Sequence, residues 1–243
     1  MKRPMLESGN KPDEARARLV AAGALALTAM IAFVLVMTTP RGEASQAAPE
    51  RVWPTSLAQP NLRNFVANPN LCRQALIDSQ IEIAAAPDVK EGGACGYERA
   101  VELTQSLHPY SQPVVTSCAE AAALVLWERD VVGPAARRHF GQDIARIEMA
   151  GPSYACRPIA GRADGRMSEH ASANAMDIAG FTLADGQVVS VEKGWQGAPA
   201  EQAFLREVRD GGCGLFQVVL SPDYNRAHHD HLHLDMGRWT TCH

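Results

Sequence analysis

Near its C-terminus the chain reads AHHDHLHLDMG, residues 227–237, which places four of its eight histidines within six positions. In an extended strand, side chains at i and i+2 leave the same face. His231 and His233 therefore project together, while Leu232, Leu234 and Met236 point the other way, toward a core. His228 stands just before them at a turn, placed to curl back toward the same point, and Asp235 shares a face with His233, as a residue that orients a ligand would. A second stretch, RMSEHASANAMDIAGF (166–181), carries His170 and Asp177 seven apart with small residues between. Two imidazoles and a carboxylate are a zinc set, and three protein ligands leave the fourth position for water, as in a catalytic site. The plainer alternative is that these histidines are only hydrogen-bonded, as buried polar groups usually are.

Positioning such residues takes strands for the ligands and helices behind them. SCAEAAALVLWERDVV, from Ser117, opens with a capping-box pattern, Ser117 then Glu120, and predicts a helix ending before Gly133-Pro134. PAARRHF (134–140) predicts another, with Gly141 as its exit, and APAEQAFLREVRDGG (198–212) a third. Strands are predicted at 144–151, at 175–181 and 187–192 joined by an ADG turn, at 215–222 and at 231–236. This mixture lacks a βαβ rhythm, so the expected class is α+β: a small, mostly antiparallel sheet carrying the zinc site, flanked by helices.

The rest of the chain bounds where such a site works. With 243 residues, 46% of them hydrophobic, and a formal net charge of −4, there is material for one sizeable core. There is no basic run outside the N-terminus, and no phosphate-binding glycine motif, so neither nucleic acid nor nucleotide is an expected partner. Residues 1–18 carry five Lys and Arg, and LVAAGALALTAMIAFVLVM (19–37) carries no charge. As a helix that run spans about 28 Å, close to a bilayer core of roughly 30 Å. The reading is a basic cytoplasmic N-terminus (1–18), an inner-membrane anchor (19–39), a Pro/Ala/Ser-rich linker (40–60) and a periplasmic domain (61–243). Secretion after signal cleavage is the alternative. Six widely spaced cysteines fit an oxidising compartment and three disulfides, with 72–95, 118–156 and 213–242 as the expected pairs.

S-x-H-x-x-x-x-A-x-D, occupied by Ser168, His170, Ala175 and Asp177, resembles the zinc motif of bacterial D-alanyl-D-alanine peptidases. H-x-x-H-x-H, at His228, His231 and His233, resembles the second motif of murein endopeptidases in the same superfamily, which also holds lysostaphin-type and hedgehog-like domains. Closer still, CRPIAGR, SEHASANAMDIAGF, FLREVRDGGC and YNRAHHDHLHLDMG between Cys156 and Gly237 resemble the bacterial extensin-like C-terminal domain family. The resemblance implies that His170, Asp177 and His233 hold zinc, that His231 is the active-site histidine and that His228 supports it. Many of the peptidases have Gly where Ala173 stands, so Asn174 is expected to supply a left-handed turn. Other relatives have Glu where Asp230 stands, which leaves the general base open between His231 and Asp230.

Zinc lowers the pKa of bound water toward roughly 7 and so prepares it to attack an amide. Arg157 is the candidate cation for the oxyanion, with a surface salt bridge as its alternative role. Ser168 lacks a nucleophile elbow and is expected to bind substrate or bond within its motif, and His228 is expected to bind substrate. Trp195 is expected in the core. The expected activity is a zinc-dependent peptidoglycan D,D- or L,D-peptidase acting on stem peptides or cross-links. A non-catalytic, zinc-stabilised module binding cell wall or a protein is the alternative.

Overall fold

Alternating and helical stretches of the sequence settle into a mixed α+β arrangement, which the computed structural model of the chain describes for residues 30, 57, 62–159 and 165–243. The predicted N-terminal segment, anchor and linker lie outside the described residues, apart from Met30 and Leu57. No helix among the described residues is long and apolar enough to cross a membrane.

From residue 62 on, helices α1 (Leu62–Ala67) and α2 (Pro69–Asp78) are followed by strands β1 (Glu82–Ala85), β2 (Val89–Gly92), β3 (Cys95–Tyr97), β4 (Val101–Gln105) and β5 (Val114–Thr116). Helix α3 (Cys118–Trp127) runs through a π-helical turn at Glu128–Val132 into α4 (Gly133–Phe140). After β6 (Ile144–Met149) and a 3₁₀ turn at Glu169–Ser172 come β7 (Ala175–Leu183), β8 (Val188–Ser190), α5 (Val191–Gly194) and α6 (Pro199–Gly212). The chain closes with β9 (Val218–Leu220), a 3₁₀ turn at Arg226–His228, β10 (Leu232–Asp235) and β11 (Thr241–Cys242). The main sheet has the order β11-β9-β10-β7-β6 with β8 also on β7, and is antiparallel except for β11 on β9. Smaller antiparallel sheets join β1-β4-β5 and β2-β3.

Helix α3 is buried on every side, as a helix apolar all round but for Glu120 must be. Its Trp127 meets Phe181 of β7 and Phe216, and donates its indole N–H to the Val208 carbonyl of α6 at 2.9 Å. Thus α3 pins the sheet to α6. Trp195 is buried, as expected, with its indole N–H on Asp223 at 2.8 Å. The strand expected at 187–192 stops at Ser190, because Ser190 caps the short helix α5 instead. The one expected at 215–222 is shorter too, since Leu215 and Phe216 turn back onto Gly212 to close α6.

Three disulfides form and no cysteine is free. Only 213–242 matches the expected pairing. Cys72 joins Cys118, and Cys95 joins Cys156. The expected 72–95 and 118–156 paired cysteines by nearness in sequence, whereas the first bond staples α2 to the start of α3 and the second ties β3 to the strap before the His170 turn.

Glu128, almost wholly buried, receives Ser106 Oγ and Tyr110 Oη on Oε1 and the His108 amide on Oε2, at 2.6–2.9 Å. Burial pushes its carboxyl up to about 7 against the pull of these donors. A folded value above the unfolded one gives stability that is complete below pH ~4.5 and lost as pH rises through about 7. At 1.36 kcal/mol per unit, the loss is about 3 kcal/mol. Equilibrium denaturation of Glu128→Gln is expected to show that slope flattened between pH 4.5 and 7.5. An unchanged slope would assign the pH dependence elsewhere.

Candidate metal centre and cleft

The central strands bring the two motifs together. In the β7–β10 ladder Asp177 lies directly opposite His233, and Ala175 opposite Asp235. Cross-strand partners share a face at about 4.5–5.5 Å between Cβ atoms, so the carboxylate and imidazole meet by register alone. His233 Nδ1 lies 2.8 Å from Asp177 Oδ1, and its Nε2 lies 3.0 Å from Asp235 Oδ2.

His170 arrives from the 3₁₀ turn, where Ser168 sits at the N-cap and its Oγ accepts the His170 amide at 3.4 Å. Ser168 is thereby occupied within the motif. Ala173 ends the turn at φ 49°, ψ 47°. The left-handed residue is therefore Ala173 itself and not Asn174 as expected. Such a conformation costs a non-glycine residue roughly 1–2 kcal/mol. Two hydrogen bonds to the Ala173 carbonyl hold it, from the Ser117 amide at 2.7 Å and Thr116 Oγ1 at 3.0 Å. Consequently the capping box predicted at α3 is only half made. Ser117 Oγ accepts the Glu120 amide, but the Ser117 amide is taken by Ala173, and the buried Glu120 carboxyl has no hydrogen bond. Burial, with Asp235 and Glu169 nearby, pushes the Glu120 carboxyl well above its usual range. Asn174 ties the turn to its neighbours, accepting Ser117 Oγ on Oδ1 at 2.7 Å and donating to Glu169 at 2.9 Å. At Gly237 a Cβ would lie 2.6 Å from Glu169 Oε1, so a larger residue would have to push the Glu169 side chain aside.

The donor atoms of His170, Asp177 and His233 all lie within 4.8 Å of one another, and all three residues are buried. A neutral His170 can offer a lone pair to a divalent ion, whereas His233 has a proton to give up first. His170 Nδ1 lies 3.1 Å from the Ser153 carbonyl, which can only accept, so the ring proton sits there and Nε2 carries the lone pair. That Nε2 is buried without a hydrogen bond, 3.1 Å from Asp177 Oδ2. An orphaned buried lone pair beside a carboxylate is the donor set a zinc ion satisfies. His233 donates through Nε2 to Asp235, which turns Nδ1 toward the same point, the carboxylate–histidine arrangement that orients metal ligands. Although burial opposes both charges, His170 and His233 hold Asp177 far below the usual carboxylate range. Burial likewise lowers His233, but Asp177 and Asp235 outweigh it and raise it to about 9.

His231 lies just outside β10, with Nδ1 on Asp230 Oδ1 at 2.8 Å and Nε2 3.6 Å from Asp177 Oδ1. Its hydrogen bond is the largest influence holding Asp230 below the usual range. Arg157 Nη2 lies 3.4 Å from Asp177 Oδ2 while most of its side chain is exposed. His228 packs its ring 5.2 Å from that of His231 and 6.0 Å from that of His233, with Nδ1 on Asn225 Oδ1 at 2.9 Å. Burial, then His231 and His233, pull His228 down to about 4, so it stays neutral. A cleft of about 480 Å³ opens over Asp177, His231 and Arg157. His229, rather than the expected His228, lines it, together with Arg226. Nothing in the sequence pattern distinguished these two, and the Ser153 carbonyl, being backbone, has no residue-type signal at all.

The class is an α+β chain in which two central strands and a 3₁₀ turn bring together a buried His–Asp–His cluster beside a cleft. The chain belongs to the family described as the extensin-like protein C-terminus, whose sequence profile matches residues 70–243. No curated protein and no solved structure matches it.

Proposed function

We propose that the chain is a zinc-dependent amide hydrolase of the cell envelope, acting on peptidoglycan stem peptides or cross-links. The observation that carries this reading is the convergence of two imidazole rings on the Asp177 carboxylate, which lines a cleft with the His231–Asp230 pair. His170, Asp177 and His233 would hold the ion. When bound, zinc supplies Lewis acidity, which activates water and polarises the amide carbonyl. Asp230 keeps the His231 proton on Nδ1 and leaves Nε2 to take a proton from water and pass it to the leaving amine. Arg157 offers its guanidinium to the oxyanion that develops. Ser168 serves by positioning His170, and His228 by packing the His231 ring. The cluster among the described residues has three members, which favours an open catalytic site over a closed structural one.

The envelope location rests on the three disulfides and on the uncharged run at 19–37, read as an inner-membrane anchor. The substrate class rests on that location and on the resemblance to cell-wall peptidases. Incubating the zinc-loaded full chain with cross-linked muropeptides is expected to release fragments with new amino termini by mass spectrometry, and His170→Ala should release none. Identical digests from the two proteins would refute the hydrolase reading.

A further inference from the structure

Each carboxylate at the cleft already has a cationic or donor partner. Asp177 is held by His170, His233 and Arg157, and Asp230 by His231 at 2.8 Å with His229 at 3.7 Å. Of the two arginines lining the cleft, Arg157 leans on Asp177, whereas the exposed Arg226 guanidinium makes no hydrogen bond or ion pair among the described residues. Arg226 sits on the 3₁₀ turn Arg226–His228, which Asn225 caps through the Ala227 amide at 2.8 Å. The backbone of that turn also receives His229, whose Nδ1 lies 3.1 Å from the Arg226 carbonyl. The guanidinium is thus mounted on a stapled turn, on the same cleft as Asp177 of the cluster, and unneutralised. Ala150, Gly151, Pro152 and Ala155, which also line the cleft, bring no charge to it. Guanidinium groups bind carboxylates through paired N–H donors in a fixed fork.

We propose that Arg226 is a specificity residue that binds a carboxylate of the substrate, so that the cleft selects acidic peptides over neutral ones. This rests on the cleft being the substrate site of the proposed hydrolase. The carboxylate has two sources, the free C-terminus of a stem peptide or an acidic side chain within it. A free C-terminus would make the chain a carboxypeptidase, and an internal acid an endopeptidase of acidic stems.

Calorimetric titration of the zinc-loaded full chain separates these outcomes without requiring turnover. The probes are a stem pentapeptide ending in D-Ala-D-Ala, its C-terminal amide, and both again with the internal glutamate changed to glutamine. Removing the decisive carboxylate is expected to weaken binding at least tenfold in the wild type. Arg226→Gln should erase that difference, and Arg226→Lys should restore part of it. The turn keeps its Asn225 cap in either variant, and far-UV circular dichroism checks that both fold. If cleavage is measurable, Arg226→Gln should raise KM and leave kcat within about twofold. Selective binding without cleavage would sustain Arg226 as the carboxylate site and overturn the hydrolase. Cleavage with equal binding of acid and neutral peptides, or an Arg226→Gln variant that keeps the preference, would overturn the role of Arg226 and leave the hydrolase standing.

Discussion

Asp177→Asn is expected to strip zinc from the chain, lowering affinity by more than the roughly 10–100-fold typical of losing an outer partner of a metal ligand. The substitution keeps the volume and removes the charge that both imidazoles face, at 2.8 Å from His233 Nδ1 and 3.1 Å from His170 Nε2. Asp235→Asn, which touches only the far nitrogen of His233, is expected to fall within that 10–100-fold range. Proton competition gives the reading a second handle. Below about pH 9 the metal-free His233 is protonated on both nitrogens, and an ion must displace the proton on Nδ1. Zinc affinity should therefore rise about tenfold per pH unit from near 6.5 to 9 and then level off. In the metal-free chain the sign reverses. A His233 value raised to about 9 contributes stability that is complete below pH ~6.5 and is lost as pH climbs through 9, about 3 kcal/mol at 1.36 kcal/mol per unit. Asp177→Asn removes one of the two carboxylates responsible and should shrink that slope. Chelator competition and denaturation with the metal removed measure the two effects. Unchanged zinc affinity in Asp177→Asn would end the metal reading.

Part of the His170, Asp177 and His233 cluster was legible in the sequence, because strand periodicity fixes faces before any fold is known; the choice of His233 over His231 came from the family resemblance. HLHLDM must separate His233 and Asp235 from Leu232, Leu234 and Met236, and β10 does so. The spacing could not say which strand lies opposite, since pairing Asp177 with His233 is a matter of register between segments 56 residues apart. Two of the three expected disulfides failed for the same reason: Cys72 and Cys118 meet across a separation of 46 residues, between α2 and the start of α3. Local signals misled where long-range partners took over their atoms. The Ser117 amide went to Ala173, which left Glu120 buried and broke the predicted capping box. In the same way the penalty at Ala173 is tolerable only because Ser117 and Thr116, distant in sequence, hold its carbonyl. A glycine at that position would remove the need, which is why reading the motif alone sent the turn to Asn174.

The proton carrier can be decided by separating zinc occupancy from turnover. His231→Gln is expected to keep zinc, since the cluster of His170, Asp177 and His233 does not include it, while kcat falls by about 10²–10⁴, the range of a lost general base. Asp230→Asn should do less. Its Oδ1 is already engaged with His231 Nδ1 at 2.8 Å, and nearly half of its side chain faces solvent, 47% against 15% for His231. A hydrogen bond to a charged group is worth about 1.5–3 kcal/mol net, which sets an expected loss of roughly 10–100-fold. The order of the two losses is the discriminating result. If Asp230→Asn matches His231→Gln while both retain zinc, the carboxylate cannot be a mere orienter. A His231→Gln protein with wild-type turnover would remove the imidazole from the chemistry and return the base to Asp230. Arg157→Lys completes the set, because it keeps a charge near Asp177 but loses the planar fork. It should lower kcat without changing zinc content, and so tell oxyanion stabilisation from a salt bridge that only steadies Asp177.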